Sequence, residues 1–228
     1  MEGQQRRAYC VDIVMCIDAT AAMNPIIDEV KRNADSFYRR FVDSMEENAK
    51  EVSQLRVKVI AFRDYGCDTE PIVESDFYTL PDQNDAFTSF VNYITATGGG
   101  DGPENALEAI ALALKSDWTT EGTFRRHVVL VFSDAPALPL GERSVSPFYP
   151  SDLPANFAQL SAWWEGTDQT FVSNFQPRFG RLVAFVPEAE PWIEMQAWNR
   201  YWAAFSPAGS GLQEVDIQSA IDLLVGSL

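Results

Sequence analysis

Val11-Asp-Ile-Val-Met-Cys-Ile17 runs directly into Asp18, and Val128-Val-Leu-Val-Phe132 runs into Ser133 and Asp134. Both runs are short, rich in β-branched residues and nearly continuous in apolar character. That pattern belongs to strands covered on both faces in a parallel sheet, whereas a strand with one wet face alternates. After Asp18, Pro25 stands where a helix can begin. Ile26, Val30, Ala34, Phe37, Phe41 and Met45 then recur every three or four residues, which predicts one long amphipathic helix.

The same alternation continues along the chain. Val57–Phe62 reads as a second strand, and Ile72–Phe77, beyond the turn-rich RDYGCDTEP, as a third that pairs back as an antiparallel edge. Asp85 is placed to cap a helix carrying Phe87, Phe90, Val91 and Ile94. The glycine-rich Thr97–Glu104 follows, then a helix with Pro103 in its first turn and Leu107, Ile110, Ala111 and Leu114 on its inner stripe. Residues 135–156 hold five prolines and read as a long rim loop. Beyond it we expect a helix around Phe157–Trp164, a strand at Leu182–Val186, a helical Pro191–Phe205 and a closing helix through Ile217, Ile221, Leu224 and Leu228. Trp163 and Trp164 are adjacent, so on a helix they diverge by about 100° and one should be exposed.

Strands alternating with helices predict an α/β fold: a doubly wound, Rossmann-like, mostly parallel sheet with one antiparallel edge strand and helices on both faces. No linker or repeat divides the 228 residues, so a single domain is expected over 1–228. In it, residues 9–135 hold the core motifs, 135–156 the rim loop and 157–228 the C-terminal strand and helix part.

The net charge of −16, from 17 basic and 33 acidic residues, disfavours nucleic acid and anionic membrane as partners, since both need clustered cations. Cys10, Cys16 and Cys67 are odd in number and lack metal-site spacing. With no apolar leader and no 18-residue apolar stretch, they lead us to expect a cytoplasmic protein.

In a doubly wound sheet, ligands bind outside the carboxyl ends of the strands, where the winding reverses. Three oxygen-rich segments converge there: Asp18–Met23, Gly98–Glu104 and Ser133–Ala135. Asp18, Thr20, Asp134 and either Glu104 or Asp101 supply what Mg²⁺ prefers, a few carboxylates and hydroxyls completed by water. Each also has a plainer role. Asp18 and Asp134 can bond loop amides, Asp101 can cap the helix that Pro103 opens, and Thr20 can serve as a turn hydroxyl. A phosphate loop is a poor reading of Gly98–Glu104, which lacks a following lysine and has an acid at positions 101 and 104. His127 is the sole histidine and stands before a buried strand, so a nucleophile–histidine pair has little support.

Asp18, Thr20, Ala22 and Met23, with the later Asp134, resemble the metal-ion-dependent adhesion site (MIDAS) of von Willebrand factor A domains. The middle loop, Asp101-Gly-Pro-Glu104, resembles the Asp-x-Pro-Glu loop of integrin β subunits and of bacterial stand-alone and α-kinase-associated members. The resemblance implies a divalent cation, Mg²⁺ with Mn²⁺ or Ca²⁺ as alternatives, held by Asp18, Thr20, Glu104 and Asp134. Asp101 would act through water or on an adjacent ion. It implies a non-enzymatic module in which the ion captures an acidic side chain of another protein, as a scaffold or adaptor in a bacterial stress or defence system. Ala22, Asn24, Gly100 and Ala135 flank the ligands and are expected to meet that partner. Ala22 replaces the family's second hydroxyl, so one inner oxygen is missing and weaker metal binding follows. Two other readings stand beside this one: a metal-free interaction domain, and a Mg²⁺-dependent phosphohydrolase. The latter wants a second aspartate where Thr20 stands.

Overall fold

The computed structural model describes residues 7–99 and 102–228. Five parallel strands form the body of a seven-stranded sheet: β1 (Ala8–Asp18), β2 (Glu51–Phe62), β5 (Phe124–Phe132), β6 (Gly180–Pro187) and β7 (Tyr201–Ser206). Two short strands, β3 (Ile72–Glu74) and β4 (Tyr78–Leu80), run antiparallel along the outer edge of β2. The order β3-β2-β1-β5-β6-β7 means that the chain winds one way from β1 to β2 and the other way from β5 outward. The reversal falls between β1 and β5, so the loops after Asp18 and Phe132 flank one crevice.

Alternation along β1 divides the core in two. Val11, Ile13, Met15 and Ile17 pack against α1 (Asn24–Asn33), α2 (Phe37–Glu47), α3 (Asn84–Tyr93) and α6 (Ile217–Ser227). Val14 and Cys16 point the other way, toward α4 (Ala106–Leu114), α5 (Phe157–Glu165) and most of the tryptophans. Burial on both faces explains the unbroken apolar runs. Among the described residues, no helix is long and apolar enough to cross a membrane.

Several local expectations change. The long helix is two, separated by a 3-10 turn at Ala34–Ser36. The antiparallel edge is one path in two pieces. At its break the Ser75 hydroxyl, rather than a backbone carbonyl, accepts from Val59 N at 3.0 Å, which lets the chain step sideways. Asp85 lies in the first turn of α3, after Gln83 at the cap position. Helix α4 begins at Ala106 after Asn105, so Pro103 precedes the helix. Residue 101, whose own placement lies outside the described residues, is likewise too early to cap it. Pro191–Phe205 is not helical: it forms turns, a 3-10 segment at Glu194–Ala197 and then β7. Trp192, Met195 and Trp198 are buried at three-residue intervals, the period of a 3-10 turn rather than of an α-helix. Trp163 and Trp164 are both buried, because Phe171 folds back and stacks on Trp163 with ring centres 4.0 Å apart.

Candidate functional site

The parallel register sets Ile17 beside Phe132, so the two strand-end acids emerge next to each other. Asp18 is fully buried. Its Oδ1 accepts from Thr20 N at 3.0 Å and Thr20 Oγ1 at 2.7 Å, and its Oδ2 accepts from Ser133 Oγ at 2.9 Å. Thr20 donates its proton inward and keeps its lone pairs for another group. Asp134 is held from the far side of the crevice. Gly211 N donates to its Oδ2 at 2.8 Å, and Gly209 N donates to its backbone carbonyl at 2.8 Å.

Glu104 arrives by a different route. Its backbone N donates to Pro136 O at 3.1 Å and its carbonyl accepts from Leu138 N at 2.8 Å, an isolated parallel bridge between the glycine-rich loop and the start of the rim loop. The side chain is 2% exposed, and its Oε2 is buried with no hydrogen-bond partner among the described residues. Gly99, at φ +81°, passes between Glu104 and Thr20. A Cβ there would come 2.7 Å from Thr20 Cβ and 3.1 Å from Glu104 Oε1.

Burial raises the Asp18 pKa to about 6 despite the donors from Thr20 and Ser133, with Asp134 pushing the same way. Burial also raises Glu104, to about 9, reinforced by the charges of Asp18, Asp64, Asp68 and Asp134. So much uncompensated acid in a buried place is costly unless protons or a cation neutralise it. Among the described residues, no three acidic, histidine or cysteine side chains gather closely enough to make a coordination shell by themselves. A bound ion would need hydroxyls and water as well. That suits Mg²⁺, which retains several waters. The unpartnered Glu104 oxygen and the Thr20 hydroxyl, on residues that line one cavity with Asp134, make the residue set a fit for such an ion.

Thr20, Ala22, Glu104, Asp134 and Ala135 line one open cavity of about 310 Å³; Asp18 is not on its wall but accepts the Thr20 hydroxyl. Asn24 is not on its wall; it begins α1 and bonds Asp28 at 2.9 Å. Gly100 and Asp101 lie outside the described residues. Three contributors escaped the sequence reading as site residues. Ser133 was visible only as a neighbour of Asp134. Asp64 and Asp68 lie in the loop after β2, where Asp68 accepts from Gly99 N at 3.2 Å and Asp64 pairs with Arg143 of the rim loop at 2.9 Å. Arg63 and the Gly209–Gly211 turn brace the loops. The Arg63 guanidinium reaches the carbonyls of Ala19, Thr97, Glu70 and Thr95 at 2.7–3.1 Å. Acids inside a turn-rich segment are the one signal that could have drawn attention to Asp64 and Asp68. The Arg63 and Gly211 contacts depend on tertiary folding.

A model of the von Willebrand factor A domain matches residues 12–140. The alpha-protein kinase vwkA of Dictyostelium discoideum is 25% identical over 152 residues, which is 65% of this chain and 22% of that protein. Among solved structures, a von Willebrand factor type A protein from Catenulispora acidiphila superposes with a TM-score of 0.55 at 12% identity, covering 96% of this chain and 43% of that one. The pilus adhesin SpaC of Lactobacillus rhamnosus GG superposes with a TM-score of 0.53 at 9% identity, covering 98% of this chain and 30% of that one. At such identities the structural likeness is one of fold. The chain spans less than half the length of each of these proteins.

Proposed function

Because this chain belongs to the von Willebrand factor A domain family, we propose that it is a non-enzymatic protein-interaction module whose rim holds a divalent cation, Mg²⁺ in the first instance, and captures a carboxylate of a partner protein. The observation that carries the reading is the buried, unpartnered Glu104 Oε2, on a residue that lines one cavity with Thr20 and Asp134. Asp18, Thr20, Glu104 and Asp134 would hold the ion, with water where Ala22 offers no oxygen. A cation there supplies an electrophilic centre to which a partner's carboxylate can bind in place of water. The chain's residues fix the ion's position, exclude bulk solvent from below and shape the approach. The rim loop, tied down by Arg143–Asp64 and by Tyr149 Oη donating to Glu108 at 2.9 Å, governs which partner fits. In this reading the domain serves as a scaffold or adaptor beside other components.

The test is calorimetric titration of chelator-stripped protein with Mg²⁺ and Mn²⁺, together with Asp18→Ala and Asp134→Ala variants. Binding by the parent and loss in both variants is the expected result. A parent protein that binds neither ion would overturn the cation reading.

A metal-free interaction domain is favoured by one specific observation: Asp18 and Asp134 already bond protein donors, Ser133 and Gly211. Ala22→Ser separates the two readings. A gain in Mg²⁺ affinity accompanied by tighter partner binding supports carboxylate capture, whereas the same gain with partner binding unchanged supports the metal-free alternative.

A further inference from the structure

Because the five long strands are parallel, all their N-terminal ends lie at the pole opposite the carboxylate rim. Six cations gather at that pole in a chain of net charge −16. Lys50 precedes β2, Arg7 precedes β1, Arg125 and Arg126 open β5, and Arg178 and Arg181 flank the start of β6. None of these six forms an ion pair with an aspartate or glutamate side chain among the described residues, although the acids Glu46, Glu47, Glu51, Asp117 and Glu121 lie on the same end.

The cations are held in place by other means. Lys50 Nζ donates to Val225 O at 2.8 Å, Arg181 Nε to Ser227 O at 2.8 Å, and Arg126 Nε and Nη2 to Leu228 O at 3.1 and 2.8 Å. These contacts complement the negative end of α6, which accounts for three of the side chains. It does not account for the rest. Arg7 lies over the Phe124 ring at 5.3 Å, and Arg125 and Arg178 each lie 4.6 Å from the centre of Phe179. Arg125 Nε is buried with no hydrogen-bond partner among the described residues. Burial, then the neighbouring charges of Arg126 and Arg200, lower the Arg181 pKa to about 10.

We infer that this pole is a second docking surface, for an extended acidic polypeptide segment. The cations cross the starts of β2, β1, β5 and β6, a span of roughly 15 Å at ~4.8 Å per strand and so the length of about four or five extended residues. A span of that length suits a segment better than a single small anion. Guanidinium groups already stacked on rings and tied to carbonyls lose little freedom on pairing with carboxylates, and arginine forks match carboxylate geometry. A polypeptide suits the pole better than nucleic acid, whose dense phosphates would meet the strongly acidic remainder of the molecule.

Fluorescence anisotropy of a labelled deca-glutamate peptide tests the inference. EDTA is present throughout, so that capture at the rim cannot contribute and failure here leaves the rim reading untouched. Saturable binding at 50 mM salt that weakens as salt rises is the expected outcome. The exposed pair Arg7→Glu/Arg178→Glu, neither of which holds α6, should weaken it at least tenfold while far-ultraviolet circular dichroism stays unchanged. Absence of binding, binding indifferent to the double variant, or tighter binding of a single-stranded oligonucleotide of equal charge would each overturn it.

Discussion

Ser133 Oγ donates to Asp18 Oδ2 at 2.9 Å across the seam between β5 and β1, although 115 positions separate the two residues. One hydroxyl thereby aligns the acid at the end of the central strand with the loop that carries Asp134. Ser133→Ala leaves that buried oxygen without its donor. A loss of about 1–3 kcal/mol is expected in urea unfolding, together with weaker Mg²⁺ binding in calorimetry.

Glu104→Gln trades stability against function. Without a cation, the glutamate sits among four other carboxylates. Its folded pKa of about 9 lies above the ordinary 4.5, so its share of stability is intact below 4.5 and is lost as pH rises toward 9. Chelator-treated Gln variant should therefore melt above the parent by a margin that widens from pH 5 to pH 9, and should show no rise in Tm on adding Mg²⁺. Equal melting at every pH would count against the carboxylate cluster.

Gly99→Ala tests the passage between Thr20 and Glu104. The backbone at φ +81° and the 2.7 Å approach to Thr20 Cβ both resist a side chain. A destabilisation of about 1–3 kcal/mol is expected by thermal melting, with reduced Mg²⁺ affinity because Thr20 must shift.

His127 supplies a pH signature remote from the rim. The ring is buried and stacked on Trp118 at 5.0 Å. Nδ1 accepts from Gln176 N, so the proton of the neutral form lies on Nε2 toward Thr119 O. Burial lowers its pKa from 6.5 to about 4. The unfolded chain then binds the extra proton first, so stability present above pH 6.5 is lost as pH falls toward 4, by about 3 kcal/mol in all. As the sole histidine, its NMR titration is unambiguous. A midpoint near 6.5 in the folded protein would contradict this environment.

How far the sequence reveals the fold depends on how local each cause is. Apolar runs such as Val11–Ile17 identify β1 and β5 because burial on both faces leaves its mark residue by residue. The acids that end them follow from strand polarity alone. β7 is not legible in this way: Tyr201–Ser206 is a strand because β6 offers it a free edge, with Leu182 beside Tyr201. Trp163 is covered by Phe171, which no spacing along α5 announces. At the rim, Asp18, Thr20, Glu104 and Asp134 could be picked out by type and order. The surroundings that perturb Glu104, Asp64 and Asp68 among them, belong to a loop whose course is set by Arg143 and Gly99.

Strand parallelism separates the rim's carboxylates from the arginines at the opposite end by the full length of the sheet. Such an arrangement is a permanent electric dipole along the strand axis. The field of a charged body drifting past exerts a torque on that dipole before any contact forms, so the molecule turns, presenting its carboxylate end to a positive visitor and its arginine end to a negative one. Salt shortens the reach of that torque to about 8 Å at physiological strength without abolishing it, so the choice of face is made in the last few water layers of the encounter.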